Sequence, residues 1–275
     1  MALTKVTGDL VESVSGSQVL NTATPMVIGC DCKNNAGTPN TQFDLDADII
    51  VLRSSGGSSV VRYNPGAAIT NNISTAGSTA NGRDQAGAFT NSTFVHFYWI
   101  WNGATLATLS SATAPPTGPT LPSGYTHWAY AGAGFVDGSG NLKKIRIKGS
   151  WVHYEAKQAA LNDGSSTSEV AVDLSGFVPA NALSIHLNTN ALLICSGSGG
   201  ARYRADLKII AGTVFATVAR VQNTTSQAAA GASSLVVPNV SRQVYYQWTN
   251  EAGAAADTLN LDVDVSGYKV ANGGE

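Results

Sequence analysis

The residues able to do chemistry are scattered, and each candidate group lacks the neighbours its reaction requires. Asp44, Asp46 and Asp48 alternate as the first ligands of a calcium loop do. An EF-hand loop then needs Gly at its sixth place and Glu at its twelfth; here those places hold Ile49 and Ser55. Alternation with Phe43, Leu45 and Ala47 reads instead as the solvent face of a strand, and Asp262 and Asp264 read the same way. His96, His127, His153 and His186 show no HxH or HExxH pairing, so the spacing predicts no metal centre. Serine is abundant, yet no G-x-S-x-G elbow precedes a helix. The Asp137-Gly-Ser-Gly run is hairpin-turn chemistry, and the Gly-Ser-Gly-Gly run at 197–200 lacks the Lys-Ser/Thr of a phosphate loop. Cys30 and Cys32 are too close for an ordinary bridge and have no second pair, while Cys195 reads as a small core residue. No catalytic residue, metal ligand or cofactor is therefore expected. A carboxylate pair for glycoside hydrolysis has no sequence spacing of its own, and a glycan depolymerase stands as an alternative.

The aromatic residues form a group. Trp99, Trp101, Trp128 and Trp151 crowd with Tyr98, Tyr125 and Tyr130 into residues 97–154. In a chain rich in Gly, Ala and Ser, such side chains fill the core. Any that reach the surface can stack on sugar rings, and Tyr125, Trp128 and Tyr130 are the candidate glycan contacts.

These residues must be held by strands. TFVHFYWIW (93–101) is apolar on both faces and predicts a central, doubly covered strand ending in an Asn102-Gly103 hairpin turn. Residues 43–52 alternate and then become continuously apolar, predicting one strand that passes from edge to core. Further strands are expected over 142–152, 169–174, 182–195, 203–211, 213–221, 235–248 and 258–268, with turn signals between them and no long helical period. The polar small-residue stretch 156–168 reads as a linker between a β domain at 18–155 and a second at 169–275. The fold expected is all-β: two β-sandwich or jelly-roll-like domains. Residues 1–17 stand apart as an arm. Leu3, Val6, Leu10 and Val14 recur at three and four, as one helical stripe does, although a first strand and turn fit equally. The arm reads as an attachment or oligomerisation segment.

Only 12% of the 275 residues are charged, against about 25% in a typical soluble domain. Hydrophobic residues make up 43%, too many for a disordered chain. So neutral a surface predicts burial against copies of itself. The net charge of -2 supplies no basic field for nucleic acid. The basic positions in 143–148 alternate with apolar ones, as on the outer face of a strand. No apolar run approaches a membrane span and no signal-peptide core appears near residue 1, so synthesis in a reducing cytoplasm without membrane insertion is expected.

TFVHFYWIWNG, then LSSATAP, LPSGY and FVDGSGN within 93–154, together with the opening MALTKVTGDLVES, resemble segments of bacteriophage tail-fibre and other virion structural proteins. The resemblance covers about a quarter of the chain. It implies a homotrimeric β-structured virion protein, attached to other virion proteins through its N-terminal arm and presenting its C-terminal part outward; a host surface glycan is the partner that the aromatic candidates would add. A short tail fibre or tail-associated receptor-binding protein is the reading this favours. A capsid decoration or head-fibre protein is the alternative within the same class.

Overall fold

The structure is a computed structural model that describes residues 26–54, 57, 60–194, 201–223, 228–253, 256 and 258–272. The arm residues Leu3, Val6, Leu10 and Val14 and the thiol of Cys195 lie outside the described residues. Every described regular element is a strand, and the chain is all-β with a sandwich-like arrangement of sheets. It divides into two compact units. Unit 1 holds the described residues up to Leu142 with Ile147–Ser150 and Asn272, and unit 2 holds Lys143–Arg146 and Trp151–Ala271.

Unit 1 contains β1 (Met26–Ile28), β2 (Asp31–Asn34), β3 (Gln42–Leu45), β4 (Ile49–Ser54), β5 (Val60–Tyr63), β6 (Ile69–Asn72), β7 (Gly82–Arg83), β8 (Thr93–Trp101), β9 (Leu106–Ser111), β10 (His127–Val136) and the second half of β11 (Ile145–Lys148). One sheet runs β1-β4-β10-β8-β9-β7 with β5 also on β4; the other runs β11-β2-β3-β6. As its sequence predicts, β8 is central and buried on both faces, with Phe97, Tyr98, Trp99 and Ile100 at zero exposure. The Phe43 ring of β3 stacks on Phe97 of β8 at 4.5 Å, joining the two sheets through the core. Asn102 makes the β8–β9 turn, its Oδ1 accepting from the backbone N–H groups of Ala104 and Thr105. Asn272 closes the unit: its buried side chain donates to the carbonyls of Ala131 and Gly149, and its own carbonyl accepts from Val27 N–H.

Unit 2 contains β12 (Trp151–Leu161), β13 (Val170–Asp173), β14 (Ala182–Ile194), β15 (Ala201–Lys208), β16 (Ala216–Asn223), β17 (Ala228–Pro238), β18 (Gln243–Gly253) and β19 (Thr258–Val270). Its sheets run β17-β14-β19-β12 and β13-β18-β15-β16. Alternation puts Ile185, Leu187, Leu193, Val263 and Val265 inside from the first sheet, and Leu207, Val244 and Trp248 from the second. On the outer face of the second sheet Glu251 takes contacts from Arg202, Arg204 and Arg220, and Arg204 also pairs with Asp206.

Four sequence expectations need correction. Residues 43–52 are two strands in different sheets, because the chain turns a corner at 46–48. There the Asp46 carbonyl accepts from Asp31 N–H and Asp48 N–H donates to the Ile28 carbonyl. Gly29, at φ +65°, makes room for it: a Cβ there would lie 2.1 Å from the Asp48 carboxylate. The three aspartates therefore follow a strand end and a corner, and Asp44 accepts from Asn35 and Thr70. Residues 142–152 are likewise broken at Gly149 (φ 57°) into β11 and β12. Residues 235–248 are broken after Pro238, with Arg242 at φ 54°, into β17 and β18. Residues 156–161, expected within a linker, complete β12 and pair with β19 from Gln158 onward.

Candidate functional site

Unit 1 places the predicted glycan contacts unequally. Tyr130 is 3% exposed; its hydroxyl bonds His96 Nδ1 at 3.0 Å and its ring lies 5.3 Å from Tyr98. It is a core residue and presents no face to a sugar, which corrects that expectation. Trp128 is half-buried. Its ring meets Tyr98 edge-on at 5.4 Å and covers Gly118, where a Cβ would come within 2.6 Å of the indole. Tyr125, also half-buried, sits in the turn before β10, its N–H on the Pro122 carbonyl. The three do not share one exposed surface.

Cys30 and Cys32 point into the core as free thiols with their sulfurs 3.5 Å apart. Burial pushes the Cys32 thiol well up, and the Cys30 neighbour adds to this. That keeps Cys32 protonated and unreactive.

A different aromatic group forms on the outer face of the first sheet of unit 2. β19 lies between β12 and β14, with Gly267 opposite His153 on one side and His186 on the other. One row along, Trp151 stands opposite Lys269. The Trp151 ring lies 6.2 Å from that of His153, planes 26° apart, and 6.4 Å from that of His186, edge to face. Gly267 is the low point between the two imidazoles. A Cβ there would come 2.3 Å from the Val152 carbonyl oxygen and 3.3 Å from His153 Cα, so the strands can approach only at glycine. His186 Nε2 bonds Ser234 Oγ at 2.8 Å. Burial, and then the neighbouring His186, hold the His153 imidazole below its ordinary value. The neutral form of His153 is therefore favoured, and both rings place imidazole nitrogens beside an indole. That combination suits a polyhydroxyl ligand, with apolar ring faces for C–H groups and imidazole nitrogens for hydroxyls.

Gly267→Ala is expected to destabilise the chain by about 1–3 kcal/mol, the usual cost of forcing extra atoms into a packed site. Urea unfolding checks this. A wild-type midpoint would mean that the β12–β19 approach is not tight.

Sequence spacing did not join His186 to the pair, since it comes from β14 while Trp151 and His153 share β12. The available signals were the Trp151-x-His153 spacing, which puts both on one strand face, and a lone Gly267 in a strand of alternating residues.

No protein-family model matches the chain, and no curated protein matches it. Among solved structures it is similar to the N-terminal tandem CBM22 domains of Xyn10C from Paenibacillus barcinonensis, at 12% identity over 88% of this chain and 77% of that one, TM-score 0.26. It is also similar to an exo-beta-1,3-galactanase from Phanerochaete chrysosporium, at 10% identity over 88% and 69% of the two chains, TM-score 0.21. A third is the infectious bursal disease virus Gx strain, at 10% identity over 92% and 80%, TM-score 0.23. Similarity at these values carries no argument about function.

Proposed function

We propose that the chain is a structural protein of a bacteriophage particle: a short tail fibre or tail-associated receptor-binding protein, assembled as a homotrimer and holding host surface glycan without catalysing its cleavage. The observation that carries the binding role is the Trp151–His153–His186 surface around Gly267, whose imidazole nitrogens and aromatic faces match a sugar. The particle role is supported by the resemblance of residues 93–154 and of the opening segment to virion structural proteins. Self-association is supported by a charged fraction of 12% and by large exposed apolar side chains such as Leu183, Ile210 and Val240.

Bacterial surface polysaccharides, titrated against the protein with tryptophan emission as readout, test the binding role. Trp151→Ala is expected to weaken binding at least about tenfold, in line with an aromatic contact at the centre of a binding site, and Trp128→Ala to change it little. Unchanged binding in Trp151→Ala would remove the site. Density for the protein on capsid faces in electron micrographs of the particle would replace the tail assignment with capsid decoration. Shortened polysaccharide after incubation would replace binding with hydrolysis. A clean monomer in sedimentation would remove the trimer.

A further inference from the structure

Unit 1 buries one guanidinium without a counter-ion. Arg83 is 6% exposed. Its terminal nitrogens donate to the carbonyls of Ile73 (3.0 Å) and Ala86 (2.9 Å), and Nε has no partner. Among the described residues no carboxylate lies within 4.0 Å of it. Asp84, its neighbour in sequence, accepts instead from the Thr120 backbone N–H. This contrasts with Arg204, which sits between Asp206 and Glu251. Removing a cation from water without a paired anion is costly, and carbonyl dipoles offset only part of that cost.

Arg83 also lines a cavity of about 100 Å³. Ile73, Phe89 and Val136 are its buried apolar walls, while Ser74, Ala88 and Asn91 stand exposed at its rim. Apolar walls weaken solvent screening of the guanidinium, and an exposed rim gives a small solute a way in. Asn91 is neutral and donates to the Gly138 carbonyl, and none of the residues lining the cavity is a carboxylate that would compete for Arg83.

From this we infer that the cavity is an anion site that takes a single small carboxylate, paired with Arg83. A carboxylate supplies the missing charge and can accept from Nε, and an acetate-sized group suits a space of this volume. The site lies in unit 1 and does not depend on the glycan surface of unit 2 or on a place in a particle.

Thermal unfolding of the full chain in sodium acetate, in sodium chloride of equal ionic strength and with the neutral isostere acetamide tests it. Acetate at about ten times its Kd is expected to raise Tm by about 3–6 °C over chloride, and acetamide to leave it unchanged. Arg83→Gln removes the response if it folds. Because that variant also loses two carbonyl contacts, Ser74→Asp is the second arm: it places a carboxylate at the rim, and the acetate response should vanish in a protein at least as stable as the wild type. Equal Tm in acetate and chloride for the wild type overturns the site. So does a full acetate response that survives either substitution, and so does an equal rise with acetamide.

Discussion

Trp248→Ala is expected to lower the unfolding free energy by about 3–5 kcal/mol, the range for removing a large buried aromatic. Trp248 has zero exposure and lies in the core of unit 2 on β18. Its Nε1–H donates to the Gly164 carbonyl at 3.0 Å, and its ring meets Tyr203 edge-on at 6.4 Å. Gly164 in turn exchanges both backbone hydrogen bonds with Leu261 of β19, so the indole ties one sheet of the unit to the other. Trp248→Phe keeps most of the volume and leaves the Gly164 carbonyl its bond from Leu261 N–H, so only the net worth of one hydrogen bond, about 0.5–1.5 kcal/mol, should be lost. Urea midpoints of the full chain, with hydrogen exchange to locate the loss in unit 2, provide the check. A change below about 1 kcal/mol for Trp248→Ala would show a core able to collapse around the gap.

Most of the strand content was legible because burial repeats every second residue. The run of 93–101 has no polar face to give to water, so a central strand was the only element it could form. In 258–270 the inward positions Leu261, Val263 and Val265 follow the period, until the register shift after His186 carries Gly267 to the outer face. What could not be read were the corners. At 46–48, Gly149 and Arg242 the chain changes sheet or direction through a few backbone angles, while the apolar pattern runs on undisturbed. The site was hidden for a related reason. Tyr130 and His153 are both polar-tipped rings in strands, and only pairing with particular neighbours buries one and exposes the other. Asp264 shows the same: it lies on the predicted outer face, yet Lys157 covers it to 5% exposure.

Acid should destabilise unit 1 through a histidine. Burial lowers the pKa of His96 from 6.5 to about 4, and its ring is hydrogen-bonded to Tyr130 inside the sheet. Above pH 6.5 the imidazole is neutral in both folded and unfolded chains and contributes no pH dependence. As pH falls from 6.5 towards 4 the unfolded chain takes up a proton that the folded chain refuses, so stability is lost across that window. The loss levels off at about 3 kcal/mol once the folded state also protonates, at about 1.4 kcal/mol per pKa unit. His96→Gln, neutral throughout, should be less stable than wild type at pH 7 but lose less on acidification. Urea midpoints of both proteins from pH 7 to pH 4 measure the difference, in which contributions from carboxylates cancel. Parallel curves would mean that His96 is protonated in the folded state as readily as in the unfolded one.

The clip made by Asn272 has a consequence for synthesis. Unit 1 is continuous up to Leu142 and again at Ile147–Ser150, but the residue that bonds Val27, Ala131 and Gly149 follows the whole of unit 2 in the chain. A ribosome finishes unit 2 before that residue emerges. A nascent chain stalled anywhere between 151 and 271 therefore carries β1 and β10 without their closing contact, and full protease resistance of unit 1 should appear only after residue 272 is released.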